Sequence, residues 1–336
     1  MRFSVTREWR ETLARMDEPG AVAPLHGWII LDKPYGLGST QAVGAVKRCL
    51  REAGLPKAKI GHGGTLDPLA SGVLPIAIGE ATKLCGRMLD SDKAYDFTIR
   101  FGEQTDTLDA EGNVIATKDA RPTLGEAAAV LGRFTGVIEQ MPPAYSALKV
   151  DGRRAYDLAR AGEDVALKAR SVSIYSLVIQ HPLDGGSPDL LDNRRRRDDQ
   201  DVLQEVTLSA TVSKGTYIRS LARDIAAALG TVGHVTMLRR TKAGPFTLEQ
   251  VISLDKLNEA ARDRAIAQLV LPLTAGLDDI PALPVTPADA RLLRQGRVLA
   301  GTPAGRGLML ATEGETPVAL VEASIEEIKV VRGFNL

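Results

Sequence analysis

The sequence is poor in the residues that build metal, redox and disulfide sites. Its 336 residues include only two cysteines, Cys49 and Cys85, and four histidines. The cysteines lack the spacing of a redox or zinc motif, and the histidines form neither an HExxH motif nor a cluster with cysteine. This pattern argues against a disulfide framework and a dedicated metal site. It predicts a protein without a metal cofactor that works in a reducing compartment, the cytoplasm.

The sequence also lacks an excess of one charge and a long hydrophobic run. Its 42 basic and 42 acidic residues cancel, and its mean hydropathy is −0.05. No stretch contains the roughly twenty apolar residues of a membrane span, and residues 1–24 mix charges without the apolar segment of a secretory signal. We therefore expect residues 1–24 to form a surface extension. We expect no membrane partner for the protein, and any surface that binds nucleic acid should be local.

One glycine-rich stretch, residues 61–83, stands out from the rest of the chain. Its sequence is GHGGTLDPLASGVLPIAIGEATK. Asp67 lies in a Leu-Asp-Pro step, where the following proline favours extended or turn geometry. The apolar run 73–78 predicts a buried strand that anchors this loop. The stretch is either an ordinary turn or a loop that presents the Asp67 carboxylate for chemistry.

Apolar residues alternate between strand and helix periodicity along the chain. Period-two alternation predicts strands at 95–101 and 206–212, and helical spacing predicts helices from Ser39 or Thr40 to Gly54 and over 218–229. A further polar helix is predicted over 254–269. The irregular order of strands and helices predicts an α+β fold with a mixed, largely antiparallel sheet.

Basic residues are concentrated locally despite the neutral total charge. Residues 210–245 contain six lysines or arginines and one acid, Asp224, which is typical of a surface that binds nucleic acid. Residues 181–200 break the periodicity and carry four consecutive arginines at 194–197, followed by two aspartates. We expect a surface insertion there, which is either simply solvated or in contact with RNA.

Several motifs resemble those of the TruB family of tRNA pseudouridine synthases. They are Leu-Asp-Lys-Pro around Lys33, Gly-His-x-Gly-x-Leu-Asp-Pro-x-Ala-x-Gly-x-Leu-Pro around Asp67, Asp-Lys-Ala-Tyr ending at Tyr95, and Lys-Gly-Thr-Tyr-Ile-Arg ending at Arg219. The resemblance covers about residues 25–247. It implies the pseudouridine synthase fold and the isomerisation of a tRNA uridine, position 55 in the T loop.

The resemblance assigns a role to each matching residue. Asp67 would be the nucleophile, and Arg219 would keep its carboxylate ionised and oriented. Tyr95 would stack on the flipped-out base and would assist removal of the C5 proton. The other substrate contacts would come from His62, Tyr217, Leu238 and Lys33. Without the resemblance, each of these side chains would read as an ordinary core or surface residue.

The domain boundaries follow from composition and from the same resemblance. We expect a catalytic domain over 25–250, a linker helix within 251–280 and, after a proline-rich boundary, a small β-rich module over 281–336. In position and size this module resembles the PUA-type RNA-binding domain that ends TruB proteins. The implied partner is the T-arm of tRNA, and no pattern calls for more than a monomer.

Two other functions stay open on the sequence. A non-catalytic tRNA-binding or RNA-folding protein would use the same basic surface and C-terminal module, but it would not need Asp67, Tyr95 and Arg219 together. An N-glycosidase would share the opening chemistry and release free uracil.

Overall fold

The computed structural model describes residues 24–146, 148–150, 153–154, 156, 167–180, 201–301 and 305–336. The predictions for the extension before residue 24 and for the insertion 181–200, with its arginines at 194–197, lie outside this part of the chain. Within it, the helices are α1 (Ser39–Glu52), α2 (Cys85–Asp90), α3 (Leu124–Leu131), α4 (Ile218–Ala228), α5 (Leu254–Arg262) and α6 (Pro287–Arg294). Short 3₁₀ helices span Gly79–Leu84, Gly132–Phe134, Ile266–Leu269 and Leu273–Gly276.

The strands of the described residues fall into a large N-terminal group and a smaller C-terminal group. The first group is β1 (Gly27–Lys33), β2 (Ile60–His62), β3 (Ala70–Ile78), β4 (Lys93–Phe101), β5 (Glu103–Thr105), β6 (Val114–Thr117), β7 (Gly136–Gln140), β8 (Lys149–Val150), β9 (Arg153–Arg154), β10 (Arg170–Ile179), β11 (Glu205–Val212), β12 (Gly233–Ala243) and β13 (Phe246–Thr247). The second group is β14 (Ala282–Pro284), β15 (Leu299–Ala300), β16 (Gly307–Glu313), β17 (Thr316–Ala323) and β18 (Glu327–Gly333).

The main sheet has the strand order β1-β3-β12-β4-β11-β10-β7, with β2 paired to β3 and β13 paired to β12. The β3–β12 pair is parallel, and the other pairs of this sheet are antiparallel. The C-terminal sheet has the order β14-β16-β17-β18-β15. The predicted α+β fold with a mixed, largely antiparallel sheet and a C-terminal β-rich module is thus confirmed.

Two helix layers pack on the main sheet and fix the elements around the Asp67 loop. Helix α4 buries its apolar side against β4, β11 and β12, through residues such as Leu221 and Ile225. Helices α1 and α5 pack on β1 and β3, where Val46 and Leu257 are completely buried. The loop between β2 and β3 packs on the second of these cores, which contains Leu66 and, at the start of β3, Ala70.

The segment 251–280 is not one helix. Helix α5 ends at Arg262, and the separate turn Ile266–Leu269 follows. Arg264 adopts a left-handed conformation with φ +55°, which ends a helix. The segment also packs into the cores of the main sheet through Leu257, Ile266 and Leu273. The boundaries of the catalytic domain and the C-terminal module stay predictions.

The C-terminal sheet shares a core with the main sheet. Leu310, Leu320 and Phe334 of the C-terminal part lie in one apolar cluster with Trp28 and Met88.

None of the helices within the described ranges combines the length and apolar character needed to span a bilayer.

Candidate active site

The loop that carries Asp67 is held by side chains from neighbouring elements. Ser39, at the start of α1, donates its hydroxyl to the Leu66 carbonyl at 2.9 Å and accepts the Leu66 amide at 2.8 Å. On the other side of Asp67, the Pro68 carbonyl accepts from the Lys33 ammonium at 3.1 Å and from the Gly36 amide at 2.8 Å. The backbone on both sides of the carboxylate is therefore fixed.

Asp67 forms an ion pair with Arg219, as the resemblance implied. Arg219 Nη2 lies 2.8 Å from Asp67 Oδ2, and the exposed fractions of the two side chains are 7% and 39%. A guanidinium buried in this way orients the carboxylate. Asp67 itself stays accessible to a substrate.

Arg219 is in turn fixed by a set of neighbouring groups. Its Nη1 donates to the Thr107 carbonyl at 2.8 Å and lies 3.2 Å from Asp109 Oδ2. Its Nη2 also donates to the Tyr145 carbonyl at 2.9 Å. The guanidinium therefore has one orientation, set by the 105–109 loop and by Tyr145, and Asp67 is the exposed end of this network.

A narrow pocket opens beside the ion pair. Asp67, Arg219 and Leu238 contribute to its lining, together with Leu69, Ala70, Asp109, Val235 and Thr236. Its free space is about 10 Å³, about enough for one water molecule. A uracil ring would therefore enter only after the walls move apart.

Tyr95 and Tyr217 each lie near a residue that lines this pocket, Leu238 and Arg219 respectively. Tyr95 on β4 pairs with Arg240 of β12, and the next pair on the same sheet face, two positions along, is Phe97 with Leu238. Tyr95 and Leu238 are therefore diagonal neighbours on that face. Tyr217 precedes α4, and its backbone forms two hydrogen bonds with the buried Gln140, at 2.8 and 3.2 Å. Burial raises the pKa of the Tyr217 phenol, and the charge of nearby Asp67 contributes to the increase.

His62 ends β2, at the entrance to the Asp67 loop. Its Nδ1 accepts the Gly64 amide at 3.4 Å. Burial lowers the pKa of His62, and the positive charge of Arg240 lowers it further. His62 is therefore neutral at neutral pH.

Comparison with known proteins identifies the family. A family profile described as TruB family pseudouridylate synthase (N terminal domain) matches residues 51–218, and one described as tRNA pseudouridylate synthase B C-terminal domain matches residues 219–278. The chain belongs to the TruB family. It is 61% identical over 310 residues to the tRNA pseudouridine synthase B of Novosphingobium aromaticivorans, with 92% of this chain and 97% of that protein covered. The protein of the same name from Zymomonas mobilis is 57% identical and covers 94% and 98% of the two chains. The chain is thus an enzyme of the pseudouridylate synthase class.

Two solved structures of RNA–protein particles contain a chain with this fold. A chain of an H/ACA RNP bound to a substrate RNA containing 2′-deoxyuridine aligns with a TM-score of 0.65 at 22% identity, covering 92% of this chain and 85% of that one. A chain of the archaeal box H/ACA sRNP Nop10–Cbf5 complex gives a TM-score of 0.65 at 23% identity, covering 92% and 86%. At these identities the likeness establishes the fold alone.

Lys33, the lysine of the first TruB-like motif, is buried beside the Asp67 loop. It has no exposed surface, and its ammonium donates to the carbonyls of Pro34, Leu37 and Pro68 at 3.1, 2.6 and 3.1 Å. Burial lowers the pKa of Lys33 to about 8. The Lys33 ammonium thereby joins the turn after β1 to the Asp67 loop, and its contact with the substrate stays a prediction.

The motifs do not point to Asp109, although it contacts Arg219. Its carboxylate also accepts from the Thr107 hydroxyl at 2.6 Å and from the Glu111 amide at 3.1 Å. The only signal in the sequence is the run Thr-Asp-Thr-Leu-Asp at residues 105–109, which is separated by three residues from the end of the clearest predicted strand. Among the residues that the structure describes, no group of three or more His, Cys, Asp or Glu side chains could hold a metal ion.

Proposed function

We propose that this protein converts the uridine at position 55 in the T loop of tRNA to pseudouridine, with Asp67 as the nucleophile. The observation that carries the proposal is the ion pair at 2.8 Å between a partly exposed Asp67 and a buried Arg219 in a pocket with an apolar wall. The relatives named tRNA pseudouridine synthase B support tRNA as the substrate.

The reaction is an isomerisation that one carboxylate can support. The bond between C1′ of ribose and N1 of uracil breaks, the base turns, and C1′ joins C5. The proton on C5 leaves to solvent, and N1 gains one, so no atom or electron is supplied from outside. Asp67 would add covalently during this exchange, either at C1′ or at the base. Arg219 would hold its carboxylate in the attacking orientation.

Once opened, the pocket would offer apolar and aromatic surfaces to a base that has left its stack. Leu69, Val235 and Leu238 supply apolar surface, and Tyr95 and Tyr217 supply the aromatic faces on which an unpaired base stacks. Outside the pocket, Lys214 and Arg223 are partly exposed and would contact phosphates of the T-arm. We propose that a monomer acts in the cytoplasm and that the β-rich C-terminal module adds RNA contacts.

The decisive experiment maps pseudouridine on an unmodified tRNA transcript incubated with the purified protein in EDTA. We expect one site of modification, the T-loop uridine, and the same site on an isolated T-arm hairpin. A transcript with cytidine at that position would stay unmodified.

Other outcomes would contradict the proposal in distinguishable ways. Free uracil without pseudouridine would identify an N-glycosidase. Tight tRNA binding with every uridine unchanged would identify a non-catalytic RNA-binding protein. Modification elsewhere in the tRNA would keep the chemistry and overturn the T-loop position.

A further inference from the structure

Arg240 is a buried guanidinium that holds the Asp67 loop at both ends. Only 1% of its surface is exposed. Its Nε donates to the Val73 carbonyl at 2.8 Å, and Nη1 and Nη2 donate to the carbonyls of Thr65 and Gly64, each at 3.2 Å. One side chain thus connects the segment before Asp67 to the strand after it.

The acceptors of Arg240 are neutral carbonyls. Within the described part of the chain, the salt bridges at this end of β12 join Arg219 to Asp67 and Asp109 and join Arg239 to Asp32, and none includes Arg240. A buried charge without a carboxylate partner costs free energy that an apolar side chain of similar volume would not. The donor geometry or the charge of Arg240 must therefore serve a purpose other than filling the core.

The backbone of Arg240 is held as firmly as its side chain. It pairs with Tyr95 of β4 on one side and with Gly72 of β3 on the other. A Cβ on Gly72 would lie 2.2 Å from the Arg240 carbonyl oxygen, so the strands approach closely only because residue 72 is glycine. The guanidinium therefore extends from a rigid base towards the Asp67 loop.

We propose that Arg240 is a positioning residue for catalysis, whose forked donors fix the Asp67 loop in the geometry that presents the carboxylate. This inference rests on the proposed catalytic role of Asp67. The fork matters because three donors in one plane reach carbonyls on both sides of the loop, which a lysine ammonium on a flexible stem cannot reproduce. Small displacements of a reacting group are costly in rate even when the substrate still binds.

Two substitutions distinguish the effect of the planar guanidinium donors of Arg240 from the effect of its positive charge. Arg240→Lys keeps a positive charge and loses the planar donors, whereas Arg240→Gln loses both. The matched control is Arg239→Lys, because Arg239 is the next residue on β12, lies on the opposite sheet face and pairs with Asp32 at 2.9 Å. We expect Arg240→Lys to lower kcat about 10- to 100-fold. Its KM for tRNA should stay within about threefold of the wild-type value, and Arg239→Lys should retain kcat.

Two further measurements report on the loop without any turnover. Hydrogen exchange of the backbone amides in residues 61–69 should become faster in both Arg240 variants and not in Arg239→Lys. The NMR titration of His62 should shift upwards in Arg240→Gln, because the charge that lowers its pKa is removed, and should move little in Arg240→Lys.

These outcomes keep the inference and the proposed function separate. If wild-type protein makes no pseudouridine, the proposed function fails, and the exchange data still decide whether Arg240 holds the loop. If the wild type is active and Arg240→Lys keeps its kcat, or if exchange in residues 61–69 is unchanged, the positioning role is wrong. Should Arg240→Gln fail to fold, Arg240→Lys and its exchange data decide the question.

Discussion

At the scale of single residues, the candidate site is a short chain of charges with one exposed end. Asp109 is buried against Arg219, and Arg219 holds Asp67. Motif resemblance was enough to predict Asp67 and Arg219 as partners. It did not predict Asp109, because Asp106 and Glu111 lie beside it and nothing in the sequence distinguishes the buried carboxylate from its neighbours. It also could not show that Lys33 bonds only to carbonyls.

We expect Asp109→Asn to lower kcat about 10- to 100-fold, because Arg219 would lose a charged hydrogen-bond partner in a buried place. The KM for tRNA should change little, since Asp109 lies behind Arg219 and not at the surface. Single-turnover kinetics with a tRNA transcript measure both effects. The control is Asp224→Asn, whose partner Arg223 is 24% exposed, and its kcat should stay within about twofold of wild type. Equal losses in the two variants would contradict this account.

The pH dependence of kcat should show an alkaline limb, a decrease of kcat at high pH that is caused by the deprotonation of Lys33. Burial lowers its pKa from 10.5 to about 8. Above that pH the amine loses a proton and can no longer donate to three carbonyls, so the Asp67 loop relaxes and kcat falls. The contribution of Lys33 to the free energy of unfolding should instead increase as the pH rises from about 8 to 10.5, because the unfolded chain still binds the proton that the folded protein has lost.

Lysine-to-arginine variants test that assignment. Lys33→Arg stays charged and should lack the limb. Lys93 is also buried, with a pKa lowered to about 8, but its ammonium holds carbonyls at the end of α2, including Met88 at 2.9 Å. Lys93→Arg should therefore keep the limb. If the limb disappears in Lys93→Arg and persists in Lys33→Arg, the assignment is wrong.

At the scale of secondary-structure elements, β12 organises the site, and the sequence pattern did not predict it. It lies between β3 and β4 and carries Leu238 and Arg240. Its sequence, HVTMLRRTKA with a leading glycine, has little period-two alternation. Register shifts at 235/237 and at 240/242 interrupt the pleat, and Arg240 occupies a position that burial rules give to an apolar residue. The strands with clean alternation, β4 and β11, were predicted to within two residues.

Gly72→Ala should destabilise the contact between β3 and β12. Gly72 has φ +100°, and a Cβ there would lie 2.2 Å from the Arg240 carbonyl oxygen. Backbone strain and overlap together should lower the free energy of unfolding by about 3–5 kcal/mol. Gly36→Ala is the matched control, because Gly36 also has a positive φ, +82°, but has no atom within 4 Å of the added Cβ. Urea unfolding should show a loss of only about 1–2 kcal/mol for that variant, and similar losses in both would contradict the overlap argument.

At the scale of the whole molecule, the C-terminal sheet is joined to the catalytic part by packing. Phe334 is 1% exposed in the cluster that contains Trp28. Near it, Lys83 donates to the Gly333 carbonyl at 2.9 Å, and the Asn335 amide donates to Glu80 at 2.8 Å. Composition and the proline-rich boundary predicted a β-rich module here. They could not predict this attachment, because contacts between residues about 250 positions apart leave no local sequence pattern.

Phe334→Ala should therefore destabilise the junction between the two sheets. Loss of a buried phenyl ring should lower the free energy of unfolding by about 3–5 kcal/mol. Val331→Ala is the comparison, since Val331 is 55% exposed and its change should stay within about 0.5 kcal/mol. Thermal unfolding followed by circular dichroism measures both. Equal melting temperatures would show that Phe334 does not stabilise the junction.

The central claim is that the Asp67 carboxylate carries out the isomerisation, and Asp67→Asn tests it most directly. Wild type and variant would be compared in tRNA binding and in single-turnover formation of pseudouridine on the same unmodified transcript. We predict that the variant binds tRNA within about threefold of wild type and forms pseudouridine at least about 10³-fold more slowly. A variant that converts the T-loop uridine at a rate near that of wild type would contradict the account.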